Sequence, residues 1–272
     1  MPPVTLCLLE TYSQQKIWLS QGRNHVERLA APYDPKDGHV DLATRVDHRV
    51  PSSMENMTCI EDLRRAACRR VPRAFFDYVE AGSYSGETLR ANRVDLEEIK
   101  LRQRVLVDVS ERDTSTTILE EKGTLPIALA PVAISGLQYG NGEILACRAA
   151  HKAGIPYSLS TMSICSIEDV AGAVAKPFWF QLYVMKDRGF VRSLIERAIA
   201  AKCSALVLTV DLQVLGQRHA DTKNGLSVPP SLKFKNLVHM AIKPGWVYSA
   251  IWAMTNYDRS RQLELPSRSG SS

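Results

Sequence analysis

The sequence predicts an α/β fold on a parallel sheet, either a TIM-type barrel or a doubly wound sheet. Three observations lead there. Strand and helix signals alternate over residues 126–210 with a repeat of roughly 25–30 residues, about the length of a βα unit. The strand signals are continuous apolar runs, as expected where both faces of a sheet are covered. Polar residues collect just past those runs, at the edge where parallel α/β folds bind their ligands.

Residues 1–53 differ from the rest. Segment 21–51 is polar, contains Pro32, Pro35 and Gly38, and keeps neither a helical nor a strand period. Its histidines, His25, His39 and His48, are irregularly spaced and make a poor metal set. Met54 precedes a strong helix signal, so residues 1–53 are expected to be a disordered leader or an extension ahead of the natural start. Residues 60–81 read as helix with a break at Pro72, and Thr58 with Glu61 three residues on forms a capping box. Arg64, Arg65, Arg69, Arg70 and Arg73 make this stretch basic: a solvated face, or a contact for anionic lipid.

The repeat then begins. Residues 126–130 (PIALA) read as a short buried strand. Residues 142–152 are a helix closed by Gly154 as C-cap. Residues 156–159 are the next strand. A helix over 166–175 starts at Ser166 as N-cap, with Asp169 three residues on. Strand 178–184 (FWFQLYV), helix 187–201 and strand 205–210 (ALVLTV) follow. Four units are visible where a closed barrel needs eight, and past Pro230 the pattern decays. Residues 255–272 read as a polar tail with no core period.

Composition narrows the function. The chain has 272 residues, 45% hydrophobic and 23% charged, as in ordinary globular proteins. No apolar run reaches the ~18 residues of a membrane span, and residues 1–10 lack the basic start of a signal peptide, so a cytoplasmic protein is expected. The six cysteines include no CxxC pair and no zinc-finger spacing, and read as free thiols. No metal site is expected. The net charge of +5 permits an anionic ligand or a membrane surface and gives no reason to expect nucleic acid.

The strand ends carry the chemistry. Pro131, Val132 and Ala133 follow the first strand, and Ser160 to Ser163 follow the second. Gln181 and Tyr183 end the third, two apart and therefore on one face. Thr209 and Asp211 end the fourth. Any strand end tends to be polar because a loop follows, but four together favour a site.

From Met54 to about residue 250 the chain resembles the FMN-dependent α-hydroxy acid dehydrogenases and oxidases, in particular the bacterial flavin-type L-lactate dehydrogenases. The resemblance rests on FFDYVEAGSYSGETLRANR (75–93), LPIALAPVAISGL (125–137), GIPYSLSTMSICSIEDV (154–170), PFWFQLYVMKDRGF (177–190), ALVLTVD (205–211) and LGQRHAD (215–221). It implies a TIM-type barrel, of which residues 54–250 supply about the first half, and FMN as cofactor. It implies that Tyr78 bonds the substrate carboxylate, Tyr183 the substrate hydroxyl or keto oxygen, and that Arg218 serves the carboxylate or the developing charge. It implies that Pro131, Val132 and Ala133 lie against the flavin ring, while Ser160, Gln181 and Thr209 hydrogen-bond it. The implied reaction oxidises L-lactate or a related 2-hydroxy acid to the 2-keto acid, passing electrons to a quinone-type acceptor. Peripheral contact with the inner face of the cell membrane and a homo-oligomer for the full-length family are implied too.

The family's proton-accepting histidine stands in an HGGRQ-like motif that this sequence does not contain. No catalytic base is therefore assigned. His219, beside Arg218, is the tempting substitute; His151 lies on a helix pointing away from the strand ends. The alternative expectation is a truncated, non-catalytic fragment, with 251–272 as an unrelated tail.

Overall fold

Four parallel strands organise the chain. The structure, a computed structural model, describes residues 5–9, 56–211, 214, 216–226 and 234–264. In chain order the elements are β1 (Thr5–Leu9), α1 (Ile60–Arg70), α2 (Arg73–Glu80), α3 (Glu87–Glu98), β2 (Thr116–Ile118), β3 (Glu121–Gly123), α4 (Ser135–Gln138), α5 (Gly142–Ala153), β4 (Ser158–Ser160), α6 (Ile167–Ala173), β5 (Trp179–Tyr183), α7 (Arg188–Ala200), β6 (Ala205–Thr209), α8 (His219–Asn224), α9 (Phe234–Ala241) and α10 (Pro244–Glu264). Two compact units divide the chain: Met1–Leu9 with Ala67–Ser272, and Glu10–Ala66. In the second unit, the backbone N–H and hydroxyl of Thr58 both donate to Asp62. Glu61 instead takes Arg64 and Arg65, so the expected Thr58 and Glu61 box is replaced by a neighbouring carboxylate. The expectation for residues 1–53 falls outside the described residues except at β1.

In the first unit the sheet order is β1, β6, β5, β4, all parallel. One sheet face, with Leu159, Phe180 and Leu182, joins Cys147 and Ala150 of α5, Ile167 and Val170 of α6, and Val191, Leu194 and Ala198 of α7 in one buried cluster. All three crossover helices therefore cover the same face. That single winding is the barrel pattern and removes the doubly wound alternative. Gly154 closes α5 at φ 72°, a left-handed cap that glycine adopts without strain. Ser166 and Asp169 cap α6 reciprocally, and Asp187 caps α7.

The other face would line a barrel interior. Register pairs Ser158 and Ser160 with Trp179 and Gln181, and pairs Trp179, Gln181 and Tyr183 with Ala205, Val207 and Thr209. At the strand starts this face is apolar: Trp179, Ala205 and Val207 pack with Ile118 and Leu119 of the β2 to β3 hairpin. The Trp179 indole N–H donates to Glu121 Oε1 at 3.1 Å, fixing the hairpin to that end. At the strand ends the face turns polar.

Two expectations are corrected. Residues 126–130 do not form a full strand: only Leu129 bridges, to Tyr157. Prolines at 126 and 131 deprive the segment of ladder donors at both ends. Residues 255–264, read as polar tail, continue α10, which has no one-sided apolar stripe to betray it; residues 265–272 lie outside the described residues. Trp246, near the α10 start, stacks on Phe75 with ring centroids 5.4 Å apart and donates to Leu137 O at 2.8 Å.

Candidate functional site

The polar end of the sheet is one hydrogen-bonded row. Gln181 sits at its centre, 2% exposed. Its Oε1 accepts from the Ser160 hydroxyl and the Thr161 backbone N–H, both at 3.2 Å. Its Nε2 donates to Thr209 Oγ1 at 2.7 Å. Since a backbone N–H can only donate, it fixes which way the amide points. The Thr161 hydroxyl donates to Gln181 O and accepts from the Tyr183 N–H, so β4 and β5 are tied past the end of their ladder.

Counting donors shows what remains. Gln181 keeps one N–H unspent, and Thr209, accepting on its oxygen, keeps its own hydrogen. Two donors thus sit side by side at adjacent strand ends. Ser160 differs: its hydrogen goes to Gln181, and its oxygen accepts from Met162 N at 3.1 Å. It props Gln181, and only a lone pair is left for a ligand.

A second group gathers around Arg218. Arg218 lies over the Tyr78 ring, 4.8 Å from Cζ to centroid, and donates to the Tyr78 carbonyl. Its Nε pairs with Asp221, which is buried. Helices α2 and α8, which carry Tyr78 and Asp221, are in contact. Burial raises the Tyr183 phenol above its ordinary value, and the neighbouring Tyr78 and Asp211 charges raise it further. Tyr78 thus comes together with Tyr183 and Arg218, each more than a hundred residues further along the chain. Asp211 adds a buried carboxylate oxygen that finds no hydrogen-bond partner.

Pro131, Val132 and Ala133 form the loop before α4, with Val132 49% exposed. Ile134 N donates to Met162 O at 2.9 Å, joining this loop to the one after β4. The described histidines stand elsewhere. His151 contacts Pro177 O, and Pro177 precedes β5, at the opposite end of the strands. His219 is exposed and its ring meets Tyr84 edge-on at 6.3 Å. His239 lines an open polar cleft with Arg73, Asp77 and Asn236, sharing no residue with the strand-end group. Among the described residues no cluster of three metal-ligating side chains occurs. Sequence reasoning placed Thr161 among the strand-end residues without its tie to Gln181 and Tyr183, and it singled out neither Glu143 nor Asp221. The i,i+3 spacing from Arg218 was the signal for Asp221; Glu143 acts through buried backbone contacts that no sequence pattern marks.

A singly wound parallel sheet with its polar groups gathered at the carboxyl ends of its strands defines the class: a barrel-type α/β protein. Residues 67–268 match the model of the family described as FMN-dependent dehydrogenase, and this chain belongs to that family. The match runs past residue 250, beyond the expected end of the resemblance. An L-lactate dehydrogenase of Caulobacter vibrioides is 49% identical over 187 residues, covering 69% of this chain and 49% of its own. One of Xanthobacter autotrophicus is 46% identical over 197 residues, covering 72% and 50%. The chain spans about half the length of these relatives. Among solved structures, the monotopic membrane protein (S)-mandelate dehydrogenase superposes with a TM-score of 0.67 at 32% identity, over 71% of this chain and 52% of that one. A mandelate oxidase superposes with a TM-score of 0.58 at 38% identity, over 62% and 50%.

Proposed function

We propose that this chain forms the flavin- and substrate-facing front of an FMN-dependent dehydrogenase that oxidises L-lactate, or a related 2-hydroxy acid, to the 2-keto acid. The observation that carries this reading is the hydrogen-bonded row of buried Ser160 and Gln181 with half-buried Thr209, which keeps two unspent donors, together with the group of Tyr78, Tyr183 and Arg218. The donor set fits FMN. A neutral amide and a hydroxyl match the carbonyl-bearing pyrimidine edge of the ring, and the orphaned oxygen of Asp211 marks a place where a further polar group belongs. Pro131, Val132 and Ala133 offer a flat, partly apolar loop for the ring to lie on. FMN, when bound, accepts the two electrons lost by the hydroxyl-bearing carbon.

The protein's own residues bind and orient. Arg218 presents a planar fork suited to a carboxylate, stiffened by the Tyr78 ring beneath it and by Asp221. The Tyr78 hydroxyl bonds the same carboxylate. The raised Tyr183 phenol stays protonated across the neutral range and donates to the substrate oxygen. Ser160 and Thr161 hold the Gln181 amide in the one orientation that offers its free N–H outward.

Electrons pass on to a quinone-type acceptor, with peripheral contact at the inner face of the cell membrane. No described helix is long and apolar enough to cross a membrane. Exposed Val238, Ile242, Ile251 and Trp252 on or beside α9 and α10 support contact with a lipid surface. The full-length enzyme forms homo-oligomers in this reading.

A second reading has one specific observation behind it. Among the described residues, His151, His219 and His239 all make their contacts away from Tyr183, so none of them is placed as a base for the substrate proton. In that reading the chain holds flavin and awaits a base from elsewhere. The test is to add FMN to the purified chain and record its visible spectrum anaerobically before and after L-lactate. Bleaching of the bound flavin supports oxidation by this chain. Bound flavin that stays oxidised supports the second reading. Absence of bound flavin overturns both.

A further inference from the structure

The loops that frame the site are held by a residue that touches nothing in it. Glu143 lies in the first turn of α5, on the outer helical layer, yet is fully buried. Its Oε1 accepts from Gly136 N at 2.9 Å and from Ile164 N at 3.0 Å. Gly136 follows the Pro131 to Ala133 loop; Ile164 follows Ser160 in the next strand-end loop. One carboxylate oxygen therefore bridges two loops that belong to different βα units. The other oxygen, Oε2, is buried without a hydrogen-bond partner.

The bridge is tight. A Cβ added at Gly136 would stand 2.7 Å from Ile164 Cβ and 3.0 Å from Glu143 Oε2, so the loops leave room for glycine alone. Ile134 takes a left-handed conformation, φ 50°, which a β-branched residue adopts at a cost. The surroundings must impose that conformation: Ile134 N bonds Met162 O, Ile134 O accepts from Leu137 N, and two residues on the Glu143 bridge holds Gly136. Burying a carboxylate for no charged partner is expensive, and fold stability alone would favour an apolar side chain there.

We propose that Glu143 is a positioning residue that locks loops 131–138 and 161–165 in register with each other. Resting on the proposed function, the lock sets the spacing between the Pro131 to Ala133 platform and the Ser160 and Gln181 row, which FMN would span. Glu143 itself contacts neither flavin nor substrate.

The test compares the full chain with Glu143→Ala and Glu143→Gln by hydrogen exchange and by FMN titration. Gln keeps an acceptor oxygen for both N–H groups; Ala removes it. Glu143→Ala is expected to speed exchange at Gly136 and Ile164 by about tenfold to a hundredfold, the range for unpairing such a bond, with β5 and α7 protected as before. FMN affinity is expected to fall at least about tenfold on the same grounds, and Glu143→Gln to restore both readouts close to the parent. Unchanged exchange in both loops of Glu143→Ala overturns the proposal, as does equal acceleration throughout the chain. If Glu143→Ala does not fold, Glu143→Asp replaces it: one methylene shorter, it should free one loop where Gln holds both, and protection of both loops in Glu143→Asp overturns the lock. If the parent takes up no FMN, the proposed function fails, while the exchange data still decide the lock.

Discussion

Gln181 has no freedom to turn, because a backbone N–H and a hydroxyl hold its oxygen while its nitrogen engages Thr209. Replacing it by leucine strands the Thr161 N–H and the Ser160 hydroxyl. A loss of about 1–3 kcal/mol in stability is expected, read from denaturant melts, with FMN affinity falling at least about tenfold. The Gln181 and Tyr183 pair was legible in the sequence because two residues on a strand share a face. The fastening from Thr161 was not, since it passes through backbone atoms of another segment. The cysteines give a second prediction. Burial pushes the thiols of Cys147, Cys165 and Cys203 up to about 12, so near neutral pH they hold almost no thiolate. Cys59 and Cys68 are exposed. Mass mapping after brief maleimide labelling should find Cys59 and Cys68 modified, with Cys147, Cys165 and Cys203 reacting only in denaturant.

Elements with a continuous apolar run or a capping pattern could be read directly. Strands β4, β5 and β6 and helices α5, α6 and α7 fall within about two residues of their expected bounds. The β2 to β3 hairpin escaped because its strands are three residues each and Thr116, Thr117, Glu121 and Lys122 lack any apolar alternation. Segment 126–130 misled in the opposite direction: it is apolar enough, but its flanking prolines and single neighbour leave one bridge. Helices α6 and α7 are joined by Arg197, which binds Glu168 at 2.7 Å. The guanidinium holds the Glu168 carboxyl down at about 2 from its ordinary 4.5. A depressed carboxylate stabilises the fold above its ordinary value and loses that contribution as pH falls through the folded one. Both side chains are more than a third exposed, so solvent screening limits the gain to under about 1 kcal/mol. Glu168→Gln should melt slightly below the parent near neutral pH, and the two should converge as pH falls from 4.5 towards 2.

At the scale of the molecule, the sheet has covered one face with helices and leaves much apolar surface elsewhere. Leu101 and Leu106 are almost wholly exposed, as are Val105 and Ile242 in large part. Apolar side chains exposed to that degree favour association with another surface. The chain is expected to elute from size-exclusion columns above its 30.3 kDa mass or to aggregate; a clean monomer with one cooperative melt would contradict this.

The pairing of β1 with β6 joins Thr5 to Ala205. A ribosome adding about 5–20 residues per second needs on the order of 10–40 s to make the chain between them. The first strand synthesised must therefore dwell unpaired until nearly the whole sheet exists. Its docking is the most non-local strand pairing among the described residues, and such contacts form late because the chain entropy of closing them is lost before any ladder bond is gained.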